Sequence, residues 1–256
     1  MTLEALIFDV DGTLAETEEA HRRAFNQAFA EAGLDWHWDV PEYGRLLKVA
    51  GGKERIRSYV EARGIELSDL DATVRRLHAR KTELYGEAAG GGALPLRSGI
   101  VRLFEDARGS GLRLAIATTT SRANVDNLFE GTLGAGSLSR FEVIETAETS
   151  RKKKPAPDVY LAALRGLGLA PEACLAIEDT ENGVRSARSA GIPVLVTEST
   201  YSRGQPFEGA AAVVSELGDP GVPATRIRGP ALEDEHISLG FLRSLHAVAV
   251  SEARAP

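Results

Sequence analysis

Two aspartates one residue apart, Asp9 and Asp11, follow the apolar run Ala5-Leu6-Ile7-Phe8 and stand just before Gly12-Thr13. Side chains alternate along a strand, but a chain that leaves the sheet at Gly12 can turn both carboxylates toward one site. Acids at the carboxyl end of a parallel strand lie where an open α/β sheet places its chemistry. One acid can attack or hold a metal while the other handles protons, the division of labour that phosphoryl transfer requires. The competing reading is an acidic turn, because Asp-Gly is a common turn dipeptide. Three further groups stand at strand ends or helix starts: Thr118 in Ala117-Thr118-Thr119-Thr120, Lys154 in Lys154-Pro155-Ala156-Pro157-Asp158, and Glu178-Asp179 after Leu175-Ala176-Ile177. Each has an ordinary explanation: Thr118–Thr120 as a helix cap, Lys154 as the end of a solvated basic run, Glu178-Asp179 as helix-start acids. Together they favour a phosphoryl-transfer site.

These groups need a scaffold. Apolar segments at residues 3–9, 113–117, 141–144, 174–177, 194–197 and 211–214 read as strands. Helical stretches fall between the later ones, at 99–109, 122–130, 157–166 and 182–190. Such alternation implies an α/β protein with a parallel sheet covered on both faces. Residues 18 to 86 differ, being helical throughout. Ala20, Ala24, Phe25, Ala28 and Phe29 share one face before Gly33, and Pro41 fits the first turn of a second helix. A third helix is expected over 53–63, and a fourth begins at Ser68, with Asp71 completing a capping-box pattern. The expected organisation is a core of 1–17 and 87–256 with a helical bundle, 18–86, inserted after the first strand. Two crossings of this kind, near Ala15–Thr17 and Gly90-Gly91-Gly92, make a hinge. Past Gly218 a Pro/Gly-rich tail leads to a last helix near Leu239–Val250, whose Leu239, Leu242 and Leu245 suit docking on the core.

The chain has 256 residues, 43% of them hydrophobic, enough for one large core or a core plus a smaller domain. A net charge of −7 argues against nucleic acid as a partner. The one cysteine, Cys174, excludes an intrachain disulfide and reads as buried in its strand. No signal peptide or membrane-spanning segment is read, so a cytoplasmic protein without membrane partners is expected.

The order of the four motifs resembles the haloacid dehalogenase superfamily: DxDGT, a strand ending in Thr or Ser, a Lys before Pro, and a terminal acidic pair. The resemblance spans residues 1 to about 215 and implies a Rossmann-like parallel sheet core with an inserted helical cap that closes over the site. It makes Asp9 the nucleophile of a phospho-aspartate intermediate and Asp11 the acid–base group. Asp9, the Asp11 carbonyl, Asp179 and Glu178 are the implied oxygen ligands of a hard Mg²⁺. Thr118 can bond a phosphate oxygen, and Lys154 adds a fixed positive charge.

The bundle carries its own polar residues. Lys81 interrupts the apolar stripe Leu70, Val74, Leu77 and Leu84, so it is paired, faces a cleft, or snorkels to solvent. Gly51-Gly52-Lys53-Glu54-Arg55 opens the third helix, either as free N–H groups for an anion or as a Gly-rich linker. His21 lies one turn after Glu18, as a substrate contact or a half-exposed helix residue. With Gly12-Thr13-Leu14-Ala15-Glu16-Thr17-Glu18-Glu19, His21-Arg22-Arg23-Ala24-Phe25-Asn26, Gly51–Ile56 and Thr118–Ser121, the chain is similar to the CbbY-type phosphatases. Lys81-Thr82 and Tyr43 fit the same pattern. That family clears xylulose-1,5-bisphosphate, an inhibitor of the carbon-fixing enzyme Rubisco. The resemblance implies substrate contacts by Glu18, His21, Tyr43, Gly52, Lys53, Arg55, Lys81 and Thr119. The implied partner is a small-molecule sugar phosphate, and a monomer is expected. A bisphosphate would use two anion sites, one at the metal and one among cap cations. Glu178-Asp179-Thr180 stands where the family has Glu-Asp-Ser, which leaves both carboxylates in place. A β-phosphoglucomutase-like enzyme is the alternative, since the core motifs do not decide whether water or sugar reaches the phospho-aspartate. A dehalogenase, a phosphonatase and a non-catalytic sensor fit the acids less well.

Overall fold

The computed structural model describes residues 2–49, 51–91 and 94–254. Seven strands form one sheet in the order β3-β2-β1-β4-β5-β6-β7: β1 (Ala5–Phe8), β2 (Arg113–Ala117), β3 (Val143–Glu145), β4 (Cys174–Glu178), β5 (Val194–Thr197), β6 (Ala212–Val214) and β7 (Arg226–Arg228). Every neighbouring pair is parallel except β6 and β7. β1 is flanked by β2 and β4, so the strand order reverses there and the carboxyl end of β1 is the switch point where open sheets bind ligands. Buried Ala, Val, Ile and Leu fill β1, β4 and β5, as a sheet covered on both faces requires. Alternation along β1 sends Ile7 into one apolar layer with Val159 and Ala163 of α7 (Asp158–Leu167) and Val184 of α8 (Glu181–Ser189). Phe8 meets Phe104 of α5 (Ile100–Gly109) edge-on at 5.2 Å, so α5 covers the opposite face.

The chain folds as two compact units. One holds the sheet: residues 1–16, 95–122 and 135–256. The other combines residues 17–94 with 123–134, so most of α6 (Arg122–Leu133) belongs with the inserted helices. Those helices are α1 (Glu18–Glu31), α2 (Val40–Leu46), α3 (Gly52–Ala62) and α4 (Leu70–Gly90). Their core is aromatic: Trp38 lies 4.7 Å from Phe25, 4.9 Å from Phe29 and 5.4 Å from Tyr59. Asn26 fixes this tryptophan by accepting from its backbone N–H at 2.8 Å and donating to its carbonyl at 2.9 Å.

Several expectations shift. α4 starts at Leu70, capped by Asp69, whose carboxylate accepts from Ala72 N at 2.9 Å. The anticipated Ser68/Asp71 box is therefore corrected by one position, to the residue whose extended backbone can reach back to the first free N–H groups. α4 also continues past 86 to Gly90, because Ala89 is buried against Ala24 and Tyr85 in the inserted unit. Gly92, one of the expected crossing glycines, lies outside the described residues. β3 sits at 143–145 rather than 141–144, and β7 was not foreseen: Arg226-Ile227-Arg228 is short, exposed and charged, with no apolar signal. α9 (Leu239–Arg254) buries Leu242 and Leu245 and half-buries Leu239. Cys174 is buried, and burial pushes its thiol up to about 12. Among the described residues no helix is long and apolar enough to cross a membrane.

The helix cap gives a direct test. Asp69→Ala is expected to lower unfolding free energy in urea by about 1 kcal/mol, while Ser68→Ala leaves it within about 0.5 kcal/mol. The reverse ranking would restore Ser68 as the cap.

Candidate active site

Strand register builds the site. Phe8 pairs with Ile177, so Asp9 and Glu178 follow at the same level on adjacent parallel strands, and Asp9 N–H continues the ladder to the Ile177 carbonyl at 3.0 Å. Asp9, Glu178 and Asp179 are all buried, and each offers a carboxylate oxygen within 4.8 Å of the others'. Three buried acids this close repel one another unless countercharge is supplied.

Lys154 supplies it. Its side chain is 6% exposed, and the ammonium donates to Asp9 Oδ1 and Glu178 Oε1, both at 2.6 Å. Its neighbours Arg151 and Lys152 are exposed and Lys153 is half-buried, so burial deepens along the basic run to the lysine that precedes Pro155. Burial alone would push Lys154 down, but the Asp9 and Glu178 carboxylates outweigh it and hold the group above the usual lysine range. Tyr160, buried on α7, donates to Glu178 Oε1 at 2.6 Å, and Lys154 Nζ lies 5.1 Å from its ring centre. One Glu178 oxygen is thereby committed to Lys154 and Tyr160, while Oε2 takes only a long 3.3 Å contact from Asp179 N–H among the described bonds.

Two glycines allow the carboxylates this close. A Cβ on Gly12, whose φ is +83°, would stand 2.1 Å from Asp179 Oδ2, and one on Gly183 would stand 1.8 Å from Glu178 Oε2. Thr180 begins α8 with its hydroxyl accepting from Gly183 N–H at 3.1 Å, so threonine serves as the cap there. Ser199 bonds the Asp179 carboxyl and lowers its pKa, yet burial, then Asp9 and Glu178, keep it well above the usual carboxylate range. Asp9 is pushed up to about 7, chiefly by burial, with Lys154 opposing and Glu178 adding to the rise.

Thr13 Oγ1 donates to Asp9 Oδ2 at 3.3 Å. Asp11 is half-buried just past β1, at a bridge with Ala15, and its side chain is not among the clustered ligands. Thr118 is buried where β2 ends, its N–H bonded to Glu145 O at 3.0 Å and its hydroxyl accepting from Thr120 N at 3.2 Å. That hydroxyl keeps its proton to donate. Thr119 is half-buried.

Within the inserted unit the polar residues form two groups. Lys81 is buried and paired, not snorkelling: its Nζ lies 2.7 Å from His21 Nδ1 and over the rings of Phe25 and Tyr85 at 5.2 and 5.1 Å. An ammonium only donates, so His21 accepts through Nδ1 and carries its own proton on Nε2. Tyr85 stacks on that imidazole at 3.9 Å. His21 is thus a buried, partnered residue. In the second group Arg55 Nη1 donates to Tyr43 Oη at 2.9 Å, and Tyr43 donates to Glu18 Oε2 at 2.6 Å. Among the described residues Arg55 Nε is buried with no hydrogen-bond partner. Lys53 is exposed in the first turn of α3. Gly52 presses on His78, where a Cβ would stand 2.7 Å from the ring. His78, Tyr160, Ser199 and Gly183 are not singled out by the sequence; Tyr160 stands on α7, six residues past Lys154, which precedes that helix.

All the clustered donors are carboxylate oxygens, the ligand type of a hard divalent cation, and three buried acids beside one lysine leave negative charge that such a cation would neutralise. The donor set fits Mg²⁺.

Comparison with known proteins agrees with this chemistry. A family model described as haloacid dehalogenase-like hydrolase matches residues 3–191. Protein CbbY (plasmid) of Cupriavidus necator is 53% identical over 257 residues, covering 98% of this chain and all of that protein. Protein CbbY of Rhodobacter capsulatus is 53% identical over 217 residues, 85% of this chain and 95% of its own. The crystal structure of a mutant CbbY from Rhodobacter sphaeroides in complex with xylulose-(1,5)bisphosphate superposes with a TM-score of 0.79 at 42% identity, covering 86% of this chain and 99% of the other.

The raised Asp9 pKa has a stability consequence. Between about 4 and about 7 the folded protein holds a proton on Asp9 that the unfolded chain releases, so stability falls as pH rises through that window. In chelator-treated protein, the wild-type Tm is expected to fall relative to Asp9→Asn as pH goes from about 4 to about 7, with Mg²⁺ raising the wild-type Tm at pH 8. A pH-independent difference between the two proteins would contradict the buried-acid assignment.

Proposed function

The chain belongs to the haloacid dehalogenase-like hydrolases, as a phosphatase of the CbbY type, and we propose that it hydrolyses one phosphate from xylulose-1,5-bisphosphate through a phospho-aspartate intermediate. The observation that carries this reading is Asp9 bridged by buried Lys154 to Glu178, with Asp179 in the same oxygen cluster. The substrate follows from the relative whose structure holds that bisphosphate.

Asp9 attacks phosphorus, and the bond from phosphorus to the sugar oxygen breaks as Asp11 gives that oxygen its proton. Water then passes a proton to Asp11 and attacks phosphorus, the Asp9–phosphorus bond breaks, and inorganic phosphate leaves. Lys154 and Thr118 stabilise charge on the transferring phosphoryl oxygens. Asp9, Glu178, Asp179 and the Asp11 carbonyl would hold Mg²⁺, which when bound offsets repulsion between the carboxylate nucleophile and the phosphate. The inserted unit selects the substrate in this reading. Lys53 and the Arg55 guanidinium are its candidates for the distal phosphate, with Glu18, His21, Tyr43, Gly52, Lys81 and Thr119 as further contacts. His21 and Lys81 act as a pair, because the ammonium fixes the tautomer that points an Nε2–H outward from the bond.

Phosphate release with Mg²⁺ should be measured on xylulose-1,5-bisphosphate, ribulose-1,5-bisphosphate, xylulose-5-phosphate and β-glucose-1-phosphate. Marked preference for xylulose-1,5-bisphosphate is expected, abolished in Asp9→Asn and lowered about 10²–10⁴-fold in kcat in Asp11→Asn. Weak release throughout, with β-glucose-1-phosphate converted to the 6-phosphate, would replace hydrolysis by mutase chemistry.

A further inference from the structure

The DxDGT turn is held by a residue far from it in sequence. Arg97 follows the return of the chain from the inserted helices, where Leu96 bridges Ala15 and Arg97 N–H bonds Leu14 O at 2.8 Å. Its side chain is 10% exposed. Nη1 donates to the Gly12 carbonyl and, at 3.1 Å, to that of Thr197; Nη2 donates at 2.7 Å to the carbonyls of both Glu198 and Ser215. Thr197 Oγ1 is a further acceptor at 3.3 Å, and Glu16 Oε1 lies 3.8 Å from Nε.

These acceptors come from three separate segments: the turn after β1, the end of β5 and the residue after β6. Parallel strands all present free carbonyls at this end, and a planar five-donor guanidinium can satisfy several in fixed directions, which a lysine's point charge cannot. Gly12 is also the residue whose backbone lies against Asp179 Oδ2. The turn itself closes through Gly12 N–H to Ala15 O at 2.8 Å and Leu14 N–H to Val10 O at 2.9 Å. Pinning the Gly12 carbonyl therefore fixes the Gly12–Thr13 peptide, one residue past Asp11, and the positive charge of Arg97 favours ionised Asp179 without touching it.

We infer that Arg97 is a positioning residue for phosphoryl transfer: it clamps the Asp11-Gly12-Thr13 turn to the ends of β5 and β6 and so sets the direction of the Asp11 carboxyl. The inference rests on the phosphatase reading for its catalytic half and on geometry alone for the clamp. A clamp of this kind acts on the chemical step, since misplacing an acid by about 1 Å can cost about 10²-fold in rate while leaving binding groups in place.

The test uses Arg97→Lys and Arg97→Met in the full chain, assayed below their melting temperatures. Two readouts are taken: hydrogen exchange of the peptide covering residues 9–16, and kcat and KM separately on xylulose-1,5-bisphosphate. The expected result is exchange at Gly12 and Leu14 faster by about tenfold or more, with kcat down about 10- to 100-fold and KM within about twofold. Lysine should rescue little, because the charge remains but the fork is lost; should methionine not fold, lysine carries the test. Unchanged exchange over 9–16 in a folded variant, or kcat within about twofold of wild type, would overturn the inference. If wild-type protein releases phosphate from none of the four substrates, the phosphatase reading fails by itself. The exchange result then decides the clamp: acceleration supports it, and no change overturns it.

Discussion

A buried ammonium shared by two buried carboxylates is the interaction on which the rest of the sheet unit depends. Lys154 between Asp9 and Glu178 removes three charges from water together, and mutual hydrogen bonding at 2.6 Å, aided by Tyr160 on Glu178 and Thr13 on Asp9, offsets that desolvation. The pair demands that β1 and β4 be neighbours in one register, so that Asp9 and Glu178 leave the sheet side by side. It also demands that the start of α7 approach from one side, which brings Tyr160 onto Glu178. Replacing Lys154 would strand both carboxylates as uncompensated charge in the interior, whereas losing one carboxylate leaves the lysine paired with the other. Asp179, lacking a direct cation partner among the described bonds, is the acid most in need of a metal; its strongly raised pKa is the same statement in proton terms.

Close packing of carboxylates constrains the backbone as well. Gly12 and Gly183 stand where a methyl group would collide with Asp179 and Glu178, so the acids rest directly on main chain. The turn closes on itself through two backbone hydrogen bonds, and Arg97 ties it in addition to the sheet ends. The result is a cross-tied base: strands in register, a lysine bonded to two carboxylates, and a turn tied to its neighbours.

The inserted unit solves a different problem with different means. Its core is built from rings around Trp38, and its polar residues are spent on one another: Lys81 on His21, Arg55 on Tyr43, Tyr43 on Glu18. A lysine in an apolar stripe has no good isolated position, and the paired imidazole gives it one at the cost of fixing the histidine tautomer. Preorganised pairs of this sort suit a unit whose polar groups must present fixed donors rather than mobile side chains.

The amino-acid sequence by itself determined the strand–helix alternation, the helical insertion after β1, and the acids and lysine of the site. Those signals are local: apolar period, Asp-Gly after an apolar run, a lysine before proline, an acidic pair after a buried strand. Tertiary structure alone decided that Lys154 is shared between Asp9 and Glu178, that Lys81 pairs with His21 across 60 positions, and that Arg97 reaches Gly12 across 85. It alone added β7, whose exposed Arg-Ile-Arg segment is a strand only because β6 offers an edge to pair with. The reason is common to all of these. Period and capping act over a few residues and are written along the chain, whereas the partner of a buried charge is set by which strands lie side by side, and only the folded topology brings them there.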